Sequence, residues 1–258
     1  MANAPNSWFS QWFDEEECII ETVTVLNESE NGRIAVFEQF VTVAVDHVIG
    51  LKVIESLGGF PQSTHVLKNR VPAGKIARSG FLGEILATEY VDEITEFNVP
   101  VRRLRHRDTR NLAMRGDDVL GFHVEEPNVK VIKVEAKSRD RLKTATISEA
   151  RNGLANHEGL PNPETLAFLE CHLRQQGRDE EADPITRLQK QSIHASNICH
   201  LVFTVSGNSP TSFLEGNSTA VCQDIELRLC GCRLRHHAEF VKSVFDACLQ
   251  RGEADGVA

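Results

Sequence analysis

The 258-residue chain has no run of 18 or more uncharged apolar residues, which excludes a membrane-spanning helix. Its opening, MANAPNSWFSQWFDEEE, has neither a basic start nor an apolar core, so it does not read as a secretory signal. The seven cysteines are odd in number and scattered through a chain long enough to bury its own core. A disulfide scaffold is therefore not expected, and a reducing cytoplasm is. No GxxxxGK[ST] phosphate loop occurs, so any ATP-driven step must come from another protein. Ser206, in TVSGNS, lacks the GxSxG elbow of a serine hydrolase. Internal repeats and low-complexity tracts are absent as well. What remains is an ordinary globular composition, 41% apolar and 25% charged. At ~150 residues per domain the length falls between one domain and two.

Basic charge is scarce outside one stretch. The net charge is −9, which on its face argues against a nucleic-acid partner. Residues 101–143, however, hold twelve Lys and Arg against seven acids, a local balance of +5 that leaves −14 for the rest of the chain. Residues 1–60 carry ten acids against only Arg33 and Lys52. A basic middle inside an acidic protein is where the chemistry is to be sought.

The pattern of residues predicts strands at CIIETVTVL and RIAVFEQFVTVAV, and a short helix in HVIGLKVIESLGG ended by its glycines. It predicts a linker over PQSTHVLKNRVP and a helix from Gly74 through Tyr90, with Phe81, Leu82, Ile85 and Leu86 on its apolar side. VPVRRLRHR reads as a strand, solvated or facing nucleic acid. Thr146-Ile147-Ser148-Glu149 fits a capping box that opens a helix running toward Gly159. PNPETLAFLECHLRQQG and RDEEADPITRLQK read as helices joined by a charged turn, ICHLVFTVSG as a buried strand and NSPTSFLEGNST as a loop. DIELRLCGCRL reads as a strand, and the last segment as a helix on Phe240, Val241, Val244, Phe245, Cys248 and Leu249. Together these define an α/β protein with a mixed sheet flanked by helices.

The clearest unit is DVLGFHVEEPNVKVIKVEAKSR, two β-rich runs around Glu125-Glu126-Pro127-Asn128, which is a hairpin by local signals. A turn centred near Pro127 puts Asp118 opposite roughly Ala136, beside Glu135 and Lys137. Glu135 and Lys137 are two apart and share one face with Val131 and Lys133, while Ile132, Val134 and Ala136 line the other. Two carboxylates that close repel unless a proton or cation intervenes. All-oxygen ligation by few protein groups suits Mg²⁺ or Mn²⁺, and a neighbouring lysine can position the attacking water. D…ExK is thus the chemistry of metal-assisted phosphodiester hydrolysis, and the surrounding arginines suit a phosphate-bearing substrate. In the Asp117-Asp118 doublet, Asp118 is the better ligand because the apolar strand starts directly after it.

These residues resemble the PD-(D/E)xK nuclease core. The longer string GFLGE…RRLRHR…RGDDVLGF…KVEAKSR…SEARNGL is similar to the HamA-like effector subunits of Hachiman anti-phage defence systems, most specifically over Gly74–Leu154. The resemblance implies a restriction-endonuclease-like core at 71–258 with C-terminal strands and helices. Residues 1–70 would form an α/β segment that either docks a partner, with Glu15, Glu16 and Glu17 as its acidic surface, or adds sheet and helix that complete the core. It further implies a DNA substrate and a partner helicase. Asp118 and Glu135 would hold the metal with the Ala136 carbonyl, Lys137 would position water, and Glu84, in the Gly83-Glu84 step of the upstream helix, would assist. Arg102, Arg103, Arg105 and Arg139 would contact nucleic acid. Many relatives place a glutamine on the helix after ExK, where this chain has Glu149 and Arg151. The rivals are a non-catalytic DNA- or partner-binding subunit and a stand-alone restriction or junction-resolving nuclease. Cys222, Cys230, Cys232, His236 and His237 invite a zinc reading, but CxxC spacing is absent and buried, inert thiols are favoured.

Overall fold

The computed structural model describes residues 7–56, 61–106, 109–111, 116–190 and 193–254. Its six strands are β1 (Phe13–Glu16), β2 (Val23–Glu28), β3 (Val119–Glu125), β4 (Asn128–Arg139), β5 (Ile198–Ser206) and β6 (Glu226–Arg233). They form one sheet in the order β1-β2-β6-β5-β4-β3. The pairs β2–β6, β6–β5 and β5–β4 are parallel, and the outer pairs β1–β2 and β3–β4 are antiparallel. All nine residues of β5 are buried, as expected of an unbroken apolar run in a parallel sheet covered on both faces.

Among the described residues ten α-helices flank this sheet. They are α1 (Trp8–Trp12), α2 (Gly32–Val48), α3 (Leu51–Ser56), α4 (Pro61–Arg70), α5 (Lys75–Ile94), α6 (Thr144–Ala155), α7 (Pro163–Gln175), α8 (Asp179–Lys190), α9 (Thr211–Glu215) and α10 (His237–Ala254). On one face, α5, α2, α1 and α10 pack Leu82, Ile85, Phe40, Trp12 and Phe240 against Ile132, Val134 and Phe203. On the other, α6 and α9 pack Ile147, Leu154 and Leu214 on Val202 and Leu229, and α7–α8 cover Leu120, Val131 and Ile198. The alternation along β4 predicted from its sequence is therefore the alternation between two cores.

Four segments depart from the sequence prediction. RIAVFEQFVTVAV is not a strand but most of α2. Val36, Phe40, Val41, Ala44, Val45 and Val48 recur at helical spacing and are buried. Burying each such side chain contributes about 1.5–3 kcal/mol, which overrides β propensities whose whole range is about 1 kcal/mol. The expected linker from Pro61 is helix α4. VPVRRLRHR is not a strand either. Asn98 makes one antiparallel bridge to Phe122 on the free edge of β3, and Arg103–His106 is a 3₁₀ turn. The loop NSPTSFLEGNST contains α9. Two smaller differences concern helix ends. HVIGLKVIESLGG is split at Gly50, whose φ of +92° ends α2, and Gly58-Gly59 lie outside the described residues. The capping box does not form, because α6 begins at Thr144 and Lys143 occupies its N-cap without a side-chain bond.

The first 70 residues contribute to the same sheet and the same core. Val23 of β2 lies opposite Leu229 of β6, and Trp12 and Phe40 pack on Phe240 with ring centroids 5.2 and 5.9 Å away. Asp14 and Glu15 stand exposed on β1, which forms one border of the sheet. No described helix is long and apolar enough to cross a membrane.

Candidate active site

β3 and β4 pair with Val119 opposite Val134, one residue from the predicted register, so Asp118 arrives level with the Glu135–Ala136 step. Asp118 Oδ2 accepts a hydrogen bond from the Ala136 N–H at 2.9 Å, taking up the ladder where β3 has not yet begun. Glu135 and Lys137 project together from the next positions of β4, with Lys137 Nζ 3.2 Å from Glu135 Oε2. The sheet end, the α6 face above it and the start of β3 thus bring Asp118, Glu135 and Lys137 into one cluster.

The cluster is electrically frustrated. Burial raises the Asp118 carboxyl, and the Ala136 N–H, Lys137 and Arg103 only partly offset it. Burial, and then the charge of Asp118, push the Glu135 carboxyl up to about 7. Burial opposes the Lys137 ammonium, but Glu135 and Asp118 outweigh it and hold its pKa above the ordinary lysine value. Two carboxyls that resist ionising together attract a proton or a cation. Among the described residues no three His, Cys, Asp or Glu side chains gather as a metal cage. The cluster itself offers two carboxylates, a set that fits Mg²⁺ or Mn²⁺, ions that keep waters and take one or two carboxylates.

The acid doublet is divided by the fold. Asp117 is buried and turned away, its Oδ2 accepting the Asn162 N–H at 2.7 Å and its Oδ1 lying 3.6 Å from Lys133 Nζ. Asp118 alone reaches Glu135 and Lys137. Lys133 is itself spent, donating to the carbonyls of Leu154, Asn156 and Leu160 at 3.1, 2.9 and 2.9 Å at the end of α6.

Three further residues shape the cluster, and sequence reasoning missed two of them. Gly153 on α6 faces Glu135, and a methyl group there would collide with the carboxyl. A glycine inside a helix costs about 1 kcal/mol against alanine, and that cost was the available signal. Gly83 brings α5 so close that an added Cβ would sit 3.0 Å from Ser138 Cβ. Arg103, expected to face nucleic acid, is buried with Nη1 3.4 Å from the Asp118 carbonyl. Burial lowers its pKa against the opposing charges of Glu84, Asp118 and Asp117, so Glu84 of α5 acts on Arg103 through its charge.

The other predicted arginines lie elsewhere. Arg102 bonds Asp92 at 2.8 Å and Glu89 at 3.2 Å, and the same Glu89 holds the buried His47 at 2.7 Å. Arg105 pairs with Asp46. Arg139 is half-exposed beside Glu149, which also lies 3.4 Å from Lys137. Arg151 instead bonds the carbonyls of Asn217 and Thr219. Arg107 and Arg115 lie outside the described residues. Among the described residues the thiols and histidines do not gather into a metal cage. Cys230 and Cys232 sit in the core beneath α5 and α10, Cys222 packs beside Ile225, His237 bonds Ser138 at 2.8 Å and His236 stands near Glu239.

The fold and cluster define an α/β protein with one mixed sheet and an acid–lysine site at the junction of two adjacent strands. The sequence model of the HamA family matches residues 7–248, and the chain belongs to that family. It is 30% identical over 188 residues to a Bacillus cereus protein named Hachiman protein HamA. The match covers 72% of this chain and 65% of the relative, so the chain spans just under two thirds of that protein's length.

Proposed function

We propose that the chain is a subunit of a Hachiman-type anti-phage defence system and, within it, a metal-dependent DNA nuclease of the PD-(D/E)xK type acting with a helicase. The defence role follows from the family and from the name of the Bacillus cereus relative. The observation that carries the nuclease reading is the juxtaposition of Asp118, Glu135 and Lys137, with Asp118 anchored on the Ala136 N–H. In this reading Asp118, Glu135 and the Ala136 carbonyl hold a Mg²⁺ or Mn²⁺ ion. The bound ion supplies Lewis acidity toward phosphate oxygens and an acidified water.

The chain's own groups do the rest. Lys137, kept protonated by its two carboxylate neighbours, orients the attacking water by donating to it and meets the charge that builds on the phosphate. Glu84 acts from α5 across Arg103, whose positive charge keeps Asp117, Asp118 and Glu84 from repelling one another apart. Arg139 stands at the open margin, and Arg102 and Arg105 flank Arg103, as contacts for nucleic acid. The −14 balance outside the basic stretch opposes long-range attraction to DNA, so delivery by a partner raises the encounter rate.

The test is plasmid degradation by the purified chain with its helicase, in Mg²⁺ and in excess EDTA. Glu135→Gln and Lys137→Met are expected to lower cutting by about 10²–10⁴-fold, and calorimetric Mg²⁺ binding should be lost in Asp118→Asn. Full cutting by either site variant, or in EDTA, overturns the nuclease reading.

A further inference from the structure

Arg103 turns toward Asp118, but Arg102 and Arg105 on either side of it line a groove of about 1280 Å³. The groove runs between the end of α2 with α3 and α4 on one side and α7 with the start of α8 on the other. Its volume exceeds the ~300–1,000 Å³ of small-molecule sites, so a polymer segment fits it better than a metabolite. Its described lining carries five basic side chains against three carboxylates, each carboxylate paired with one arginine (Asp92 with Arg102, Asp46 with Arg105, Glu181 with Arg178), so the excess of two positive charges falls at Lys52 and Arg70.

The second feature is aromatic. His106 and His172 both line the groove with ring centroids 4.2 Å apart, and Phe168 stacks behind His172 at 5.6 Å and 14°. Burial, then the charges of His172 and nearby arginines, push His106 down to about 4, so at neutral pH it presents an uncharged ring. Basic side chains along a backbone track, with rings at one wall, are the means by which proteins hold single strands. A duplex keeps its base faces stacked inside and offers none to such rings. An acidic peptide would use the charges and leave the rings idle.

We infer that this groove holds a single nucleic-acid strand, its phosphates along Lys52 and Arg70 and its bases against His106 and His172. Arg103, in the same segment as Arg102 and Arg105, donates to the Asp118 carbonyl at 3.4 Å. The inference names the substrate form for the proposed nuclease, and it rests on that reading only for what happens at Asp118.

The experiment is fluorescence anisotropy of a labelled dT12 oligonucleotide with the full chain in EDTA, over a series of salt concentrations. Lys52→Glu with Arg70→Glu should weaken binding at least about tenfold and flatten the salt dependence by about 1.4 in log–log slope. His106→Ala with His172→Ala should weaken dT12 by about tenfold yet leave an abasic strand of equal length nearly unchanged. His106→Phe with His172→Phe keeps the rings and should restore dT12 binding, which separates stacking from damage to the fold. Wild-type affinity in both double variants overturns the inference. So does equal affinity for duplex and single strand, or displacement of dT12 by a poly-glutamate peptide at equal charge concentration. If the groove variants lose dT12 while no metal supports cutting, the groove stands and the nuclease reading falls. If cutting persists and the groove variants bind as the parent does, the reverse holds.

Discussion

Lys133 and Lys137 project from the same face of β4, four residues apart, and differ in nearly everything else. Lys133 is 1% exposed and gives its ammonium protons to three carbonyls at the end of α6, with Asp117 at 3.6 Å. A lysine has three protons to donate, so none is left for a substrate. Burial lowers its pKa despite Asp117. Lys137 is 16% exposed, has only carboxylates for company, and its pKa is raised. The first lysine fixes α6 over the sheet, satisfying orphan carbonyls and countering the helix dipole. The second stands where α6, so fixed, leaves room. The same residue on the same strand face is a fastening in one half and a partly open cation among carboxylates in the other, and the difference lies in the elements brought opposite.

Removal of each lysine should separate the two roles most widely. Lys133→Met should destabilise the chain by about 3–5 kcal/mol in urea unfolding, because it leaves Asp117 buried and uncompensated. Lys137→Met should cost less, because Glu135, already held up to about 7, takes a proton when its partner is lost. Equal losses would erase the distinction.

Titration sharpens it next. With its carboxyl held up to about 7, Glu135 in the folded chain keeps a proton that the unfolded chain releases. Stability should therefore fall as pH rises from the ordinary carboxylate range to about 7, then level off. Glu135→Gln removes this penalty, so its advantage over the parent should grow across that window by on the order of 3 kcal/mol. Millimolar Mg²⁺ should shrink the difference, and pH-independent denaturation curves for the pair would contradict the crowding described at this site. The smallest effect belongs to Gly153→Ala. Better helix propensity contributes up to about 1 kcal/mol, but the new methyl displaces the Glu135 carboxyl. Stability should stay near the parent while cutting in the plasmid assay falls by roughly tenfold, a step of about 1.4 kcal/mol.

The comparison also marks what could be read in one dimension. The hairpin, α5, α7, β5, β6 and α10 were legible because their periodicity is local and strong. So was the proximity of Asp118, Glu135 and Lys137, which needs only one turn and one register. The valine-rich α2 misled because β-branched residues at helical spacing also satisfy an alternating pattern over short windows. The arginine run could not show its partners. Asp46, Glu89 and Asp92, which hold Arg105 and Arg102, arrive from α2 and α5, and nothing in VPVRRLRHR points to them. Asp117 and Lys133 were hidden for the same reason, since Asn162 and the end of α6 come to them only in three dimensions.

The parallel pairing of β2 with β6 has a consequence for the order of assembly. The hairpin bearing Glu135 closes on neighbours in the chain, but Val23 must wait for Leu229, far along the polypeptide. Such long-range pairing closes slowly. Until β6 is synthesised, the β1–β2 ribbon has both borders bare, and a bare strand border recruits other chains. Asp14 and Glu15 stand exposed on that ribbon, where their charge repels a second copy during the wait.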